Sequence, residues 1–342
     1  MLGINLQIAF CKLVESREMK PSNTPPFVVL WRVMDQCNLA CPFCAYDRRL
    51  AFPRQAADPA EVARMIDLLA AFQDRADRPV VLSWLGGEPT LWPALAEMSE
   101  RAAGAGLRQS ITTNGTTLGS AAVRHMLAER MAEITISVDA LGEAHGTLRG
   151  WRGAFDKLAA WVPQLAAERG PETALRANVV LMRQTIGEFP ALCARLADWG
   201  ITTITFNQLG GRDRPEFYPD HRLRPEDVAW LARVLPGLRA TLPGVRILGG
   251  DAYVDRIAQS AQDGALTIRG CQVARDFLFI DEAGRVAPCA FVGDHFGVTT
   301  GDLRRAEDLV ALTSGLCDRQ LAQPAAACRN CMSTQQFAKF AA

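Results

Sequence analysis

Between about residues 26 and 210 the chain alternates short β-like runs with helical patterns, and this alternation restricts the fold more than any other feature. The candidate strands are 27–33, 80–85, 108–112, 134–138, 175–181 and 202–206. The first helix is the clearest. Asp58 supplies a cap and Pro59 a first-turn proline, and Val62, Met65, Ile66 and Leu69 then fall on one face. Repeated βα units imply parallel strands joined by right-handed crossovers. Six such strands suit a sheet curved into part of a barrel. A flat doubly wound sheet has the same periodicity.

After Phe206 the regularity fades into the charged, proline-rich stretch GGRDRPEFYPDHRLRPED, read as a loop or connection before a helix near 225–242. The expected organisation is an extension at 1–25, an α/β domain at 26–245 and a smaller α+β domain at 246–342. Lys+Arg and Asp+Glu both number 37, so no net charge favours nucleic acid or an anionic membrane as partner. No apolar run is long enough to span a bilayer, and the first twenty residues lack a basic leader and a cleavage site. The expected location is the cytoplasm, with no nucleic-acid and no membrane partner.

The chain has ten cysteines, three of them at 37–44 and five between 271 and 331. In a reducing compartment such clusters are metal or redox ligands more often than disulfides. In MDQCNLACPFCAY, Cys37, Cys41 and Cys44 form C-x3-C-x2-C directly after the first strand. A four-iron cluster takes four thiolates, so three in one loop leave an iron open to a small molecule. A structural zinc site is the competing reading, but it needs a fourth nearby ligand, and no histidine precedes His125.

This spacing, with Phe43 before the last cysteine, resembles the radical S-adenosylmethionine (SAM) superfamily. The resemblance implies a [4Fe–4S] cluster with SAM chelating the open iron, an external flavodoxin- or ferredoxin-type electron donor, and a 5′-deoxyadenosyl radical that abstracts a substrate hydrogen. Further matches lie at the ends of the candidate strands. Gly86, Gly87, Glu88 and Pro89 resemble the GGEP motif that receives the SAM amino group, with Glu88 as an acceptor for the ammonium. Thr112–Thr116 resembles the TNGT element and contributes Asn114. Ser137 and Asp139 resemble the SxD motif. His145 and Arg149-Gly150 are similar to an HDxxRG stretch, with Gly146 where the pattern has Asp. Asn178 stands where related members place a polar SAM contact. The resemblance implies a partial (β/α)6 TIM-like barrel whose site lies at the C-terminal strand ends.

The second cysteine set reads C-x12-G-x4-C followed by C-x2-C, with Gly284 five residues before Cys289. Residues 277–280, a turn at 282–284 and residues 285–287 read as a β-hairpin. The pattern resembles the SPASM domain and its truncated form, the twitch domain. The resemblance implies one auxiliary [4Fe–4S] cluster held by Cys271, Cys289, Cys328 and Cys331, with a four-cysteine zinc site as the alternative. Cys317 is left over: a core residue, a replacement ligand, or a thiol that returns a hydrogen atom to a substrate radical. Cys11 and Cys193 read as structural.

The expected reaction is net oxidation, of the dehydrogenation type, of a small molecule in a biosynthetic pathway, with the auxiliary cluster as electron acceptor. Fewer than thirty residues precede the first strand, which tilts the substrate away from peptides. Maturation of a ribosomally made peptide by cross-linking, epimerisation or decarboxylation is the alternative. A non-enzymatic iron–sulfur carrier is a third reading, under which GGEP, TNGT and SVD stay unexplained.

Overall fold

The computed structural model describes residues 25–332, except 212, 213, 267, 269, 270, 272 and 294. Cys11 and the first twenty residues read for a leader lie outside the described residues. Six parallel strands form where the β-like runs lie: β1 Phe27–Arg32, β2 Val80–Leu85, β3 Arg108–Thr113, β4 Glu133–Ser137, β5 Ala174–Leu181 and β6 Thr203–Gln208. They stand side by side in sequence order, and a two-residue strand β7, Arg246–Ile247, pairs in parallel with β6. A doubly wound sheet reverses its strand order at a switch point. From β1 to β7 the order never reverses.

The two faces of the sheet settle its curvature. On β5, Leu175, Ala177, Val179 and Leu181 are buried against the helices, whereas Arg176, Asn178 and Val180 on the other face are only half-buried. β3 alternates in the same way. A sheet covered by helices on both sides would be apolar on both. A polar, half-open inner face instead suits the lumen of a partial barrel.

The helix Pro59–Ala76 starts as its sequence indicates: the Asp58 carboxylate accepts from the Ala60 N–H at 3.1 Å, and Pro59 occupies the first turn. Val62, Met65, Ile66 and Leu69 are wholly buried, each stabilising the fold by about 1.5–3 kcal/mol on leaving water.

The C-terminal region continues the same sheet. β8, Phe277–Ile280, pairs in parallel with β1, matching Val28 with Phe277 and Trp31 with Ile280. The hairpin partner β9, Arg285–Ala287, and β10, Val298–Thr299, follow antiparallel. The result is a ten-stranded sheet ordered β10-β9-β8-β1-β2-β3-β4-β5-β6-β7. In the hairpin turn Gly284 has φ +77°, and a Cβ there would meet the Thr300 hydroxyl at 2.8 Å, so glycine is required. Further along, the helix Ala306–Ala322 packs on Pro59–Ala76, while Arg64 donates to the Thr300 and Leu303 carbonyls, both at 2.7 Å. Among the described residues, no helix is long and apolar enough to cross a membrane.

Candidate functional site

The loop that leaves β1 carries Cys37, Cys41 and Cys44, and short polar staples fix its path. The Asp35 carboxylate accepts from the Gln55 N–H at 2.8 Å, and Arg54 donates to the Asp35 and Asp47 carbonyls at 2.9 and 2.8 Å. Asp47 accepts from Arg49 and Arg214, at 2.6 and 3.1 Å. The Arg49 hydrogen bond leads in holding the Asp47 carboxyl down at about 2, so it is ionised at neutral pH. Sequence reasoning passed over Asp47. Its only signal was a carboxylate among four arginines, at 48, 49, 54 and 214, the last far away in the chain.

Two glycines lay the β2 loop against this one. A Cβ on Gly86 would stand 2.7 Å from the Met34 carbonyl oxygen, and on Gly87 2.3 Å from that of Gln36. Gly87 and Glu88 donate their N–H groups to those same carbonyls at 2.8 and 2.9 Å. The glycines therefore serve a close approach, as their sequence suggests, and the partner they approach is the cysteine loop itself.

Glu88 does something other than offer a free acceptor. It is wholly buried and spans two strand ends. One oxygen accepts from the Thr90 N–H and hydroxyl at 3.1 and 2.5 Å and from the Thr113 hydroxyl at 2.8 Å. The other accepts from the Asn114 N–H at 2.7 Å. Burial still pushes the carboxyl up despite these bonds. With its oxygens so engaged, Glu88 holds the two loops together. Pro89 is buried behind it and opens the turn Pro89–Leu91. Glu88→Ala leaves several buried donors without an acceptor at about 1–3 kcal/mol each. The expected loss is about 3 kcal/mol or more in the metal-free protein. Urea unfolding checks it: an unchanged midpoint would mean that the carboxylate is no hub.

Asn114, held by Glu88, reaches the first cysteine. Its amide nitrogen lies 3.7 Å from the Cys37 sulfur and donates to Asn38 at 3.1 Å. On the opposite side Arg149 lies 3.9 Å from the Cys41 sulfur and pairs with Asp139 at 2.6 Å. The Arg149 carbonyl accepts from the Ala40 N–H at 3.2 Å. Gly150, at φ +61°, presses so close to Ala40 that a Cβ would come within 2.8 Å of its methyl group. The Arg-Gly pair therefore braces the cysteine loop from behind.

Asp139 is buried. It accepts from the Val180 N–H at 2.9 Å in addition to Arg149, which makes it a support for Arg149. His145 accepts from the Asp139 N–H at 3.2 Å, and burial pushes its pKa down to about 3, so it stays neutral. Phe43 packs with Leu148, Met182 and Leu209 and lies under the Arg149 guanidinium, 5.5 Å from the ring centroid. Ser137 pairs in register with Asn178 on the inner face, and Asn178 accepts from Thr205 and Asn207, each at 3.0 Å.

The donor set suits an iron–sulfur cluster. Cys37, Cys41 and Cys44 are free thiols that feel one another's charge, and burial pushes all three up, Cys44 to about 12. Such thiols ionise when a metal takes them. Among the described residues no three His, Cys, Asp or Glu side chains close around a single ion-sized point. A four-iron cluster needs no such point, because each thiolate takes its own iron.

The second set fits as well. Cys271, Cys289, Cys328 and Cys331 together line one small cavity, with Val273 and Gln320 completing the wall. Cys317 does not line it. At 6% exposure Cys317 belongs to the main apolar core, as does Cys193. Of its three readings, core packing is the one these surroundings support.

A larger cavity, about 550 Å³, is lined by sequence neighbours of both cysteine sets. Tyr46, two residues after Cys44, lines it, as do Ala290 and Ala327, next to Cys289 and Cys328. Arg32 crosses it, donating to the Tyr46 hydroxyl at 2.7 Å and to Glu282 of the hairpin turn at 3.0 Å. Sequence reasoning missed Arg32 and Tyr46, because the strand pairing that brings them to the hairpin spans some 250 residues.

Comparison with known proteins agrees with this geometry. Residues 31–196 match the model of the Radical SAM superfamily. Those residues form a radical SAM domain. The cofactors of such proteins are a [4Fe–4S] cluster and SAM, and SPASM-type members carry auxiliary clusters besides. Among curated relatives, the Fe-coproporphyrin III synthase of Methanosarcina barkeri is 30% identical over 195 residues, covering 57% of this chain and 45% of the relative. The mycofactocin maturase MftC of Mycobacterium tuberculosis is 26% identical over 278 residues, covering 79% and 66%. The chain thus spans roughly half to two thirds of the length of these relatives. Streptococcus suis SuiB, solved with S-adenosylmethionine, superposes with a TM-score of 0.62 at 17% identity, over 88% of this chain and 67% of SuiB. That likeness supports the partial-barrel fold.

Proposed function

We propose that this radical SAM protein is an enzyme that oxidises its substrate by two electrons, starting with removal of one hydrogen atom. What supports the reading is the cavity whose wall holds sequence neighbours of Cys44, Cys289 and Cys328, because a substrate bound there would lie near both cysteine sets. When bound, the cluster at Cys37, Cys41 and Cys44 and its SAM supply a 5′-deoxyadenosyl radical that takes the hydrogen atom. The remaining work falls to the chain. Backbone groups of Gly86 and Gly87 receive the SAM ammonium, and Asn114, Ser137 and Asn178 offer polar contacts along the inner face. Arg149 places positive charge beside Cys41, and Phe43 closes the floor. A substrate left one hydrogen atom short then loses a proton and an electron. Cys271, Cys289, Cys328 and Cys331 would hold the auxiliary cluster that accepts that electron, and a flavodoxin- or ferredoxin-type protein supplies the one that starts each turnover.

For the substrate, the relatives support two classes. The Fe-coproporphyrin III synthase favours a small molecule. The mycofactocin maturase, together with SuiB solved with its precursor peptide SuiA, favours a ribosomally made peptide. The open barrel and half-exposed inner face accommodate either.

The enzymatic reading is tested by reconstituting the chain with iron and sulfide under anaerobic conditions, reducing it with dithionite and adding SAM. The expected result is 5′-deoxyadenosine. None formed by a fully loaded, reduced protein, with or without candidate substrates, would favour an electron carrier.

A further inference from the structure

Gln320 is a polar side chain where the pattern of its helix calls for an apolar one. In the helix Ala306–Ala322 the apolar residues facing the core are Ala306, Leu309, Leu316 and Cys317. Gln320 follows one turn after Leu316 and is 5% exposed. Burying an amide is unfavourable unless its groups are satisfied, and a leucine of similar size would avoid that cost. Among the described residues the Gln320 oxygen has no hydrogen-bond partner. Its nitrogen does: it lies 2.8 Å from the sulfur of Cys328, on the wall of the cavity that all four cysteines share.

We infer that Gln320 sets the reduction potential of the auxiliary cluster by donating an N–H to the Cys328 thiolate. The inference rests on the proposal that Cys271, Cys289, Cys328 and Cys331 hold such a cluster. Hydrogen bonds to the sulfurs are among the levers by which a protein tunes a cluster's potential. A donor draws electron density from the thiolate and stabilises the added negative charge of the reduced state, so it raises the potential. The orientation of the amide follows from the same physics. A thiolate accepts and does not donate, so the amide must present its NH2 rather than its oxygen. In the proposed reaction the substrate radical gives up an electron, and a raised potential makes the auxiliary site a better acceptor for it. Gln320 is thus a positioning residue that acts through Cys328 and does not touch the substrate.

The test uses the full chain, anaerobically reconstituted, with SAM present so that the two clusters give separate EPR signals, and follows the auxiliary signal through a redox titration. Gln320→Leu removes the donor, and Gln320→Glu replaces it with a carboxylate. Both variants are expected to keep full iron and to shift the auxiliary midpoint to more negative potential, the carboxylate further. At the native midpoint the oxidised-to-reduced ratio of Gln320→Leu should rise about tenfold, or ~59 mV for one electron. Unmoved midpoints in variants with full iron would overturn the inference, as would loss of the auxiliary iron from both variants, which would make Gln320 a structural support. If the native chain itself carries about four irons and a single signal, the auxiliary-cluster reading fails, and this inference with it.

Discussion

Cys41→Ala is expected to bring 5′-deoxyadenosine formation to background, a loss of at least about 100-fold. That exceeds the 10–100-fold effects usual for residues that merely orient metal ligands. Cys41 is the most enclosed of the three thiols, at 5% exposure, between the Arg149 guanidinium and the Arg149 carbonyl. Nothing nearby replaces it: Asp139 and Asp47 are each tied to arginine. The substitution also leaves Arg149 facing a gap where the thiolate stood. Iron should fall to about half of the native content, with the auxiliary signal retained. The checks are chromatography of the nucleoside and iron analysis on the same sample. Cleavage at the native rate would remove Cys41 from the site.

The second large effect separates the two cysteine sets. Cys289→Ala is expected to leave SAM cleavage running while product per 5′-deoxyadenosine falls by at least about tenfold. Cys289 follows β9 and lines the small four-cysteine cavity, away in sequence from the GGEP and TNGT loops that hold SAM in the proposed site. Cleavage therefore persists, but a substrate radical finds no acceptor and is quenched in other ways. Equal product yield from this variant would take the auxiliary cluster out of the mechanism and leave it a structural role.

How the site was read from the sequence depends on distance along the chain. Cys37, Cys41 and Cys44 lie within eight residues, so their spacing alone forces the thiols together whatever the rest of the chain does. The hairpin at Phe277–Ala287 was legible for the same reason: two short runs and a glycine turn specify each other locally. Glu88 was identified as functional, yet its use as an internal hub was not legible. That role depends on Thr113 and Asn114, on another strand, arriving within 2.8 Å of its oxygens. Cys317 could not be separated from the other cysteines by spacing. Only the packing around the helix Ala306–Ala322 put it in the core and Gln320 on the cavity wall.

The sequence by itself determined the six parallel strands, the helix that follows β1 and both cysteine patterns. All of these rest on periodicity and short-range spacing, which survive without knowledge of what packs on what. Tertiary structure alone decided that β8 joins the sheet beside β1, and that sequence neighbours of both cysteine sets line one cavity. Strand partners separated by some 250 residues are chosen by whichever exposed edge is left free, and no local pattern records that choice.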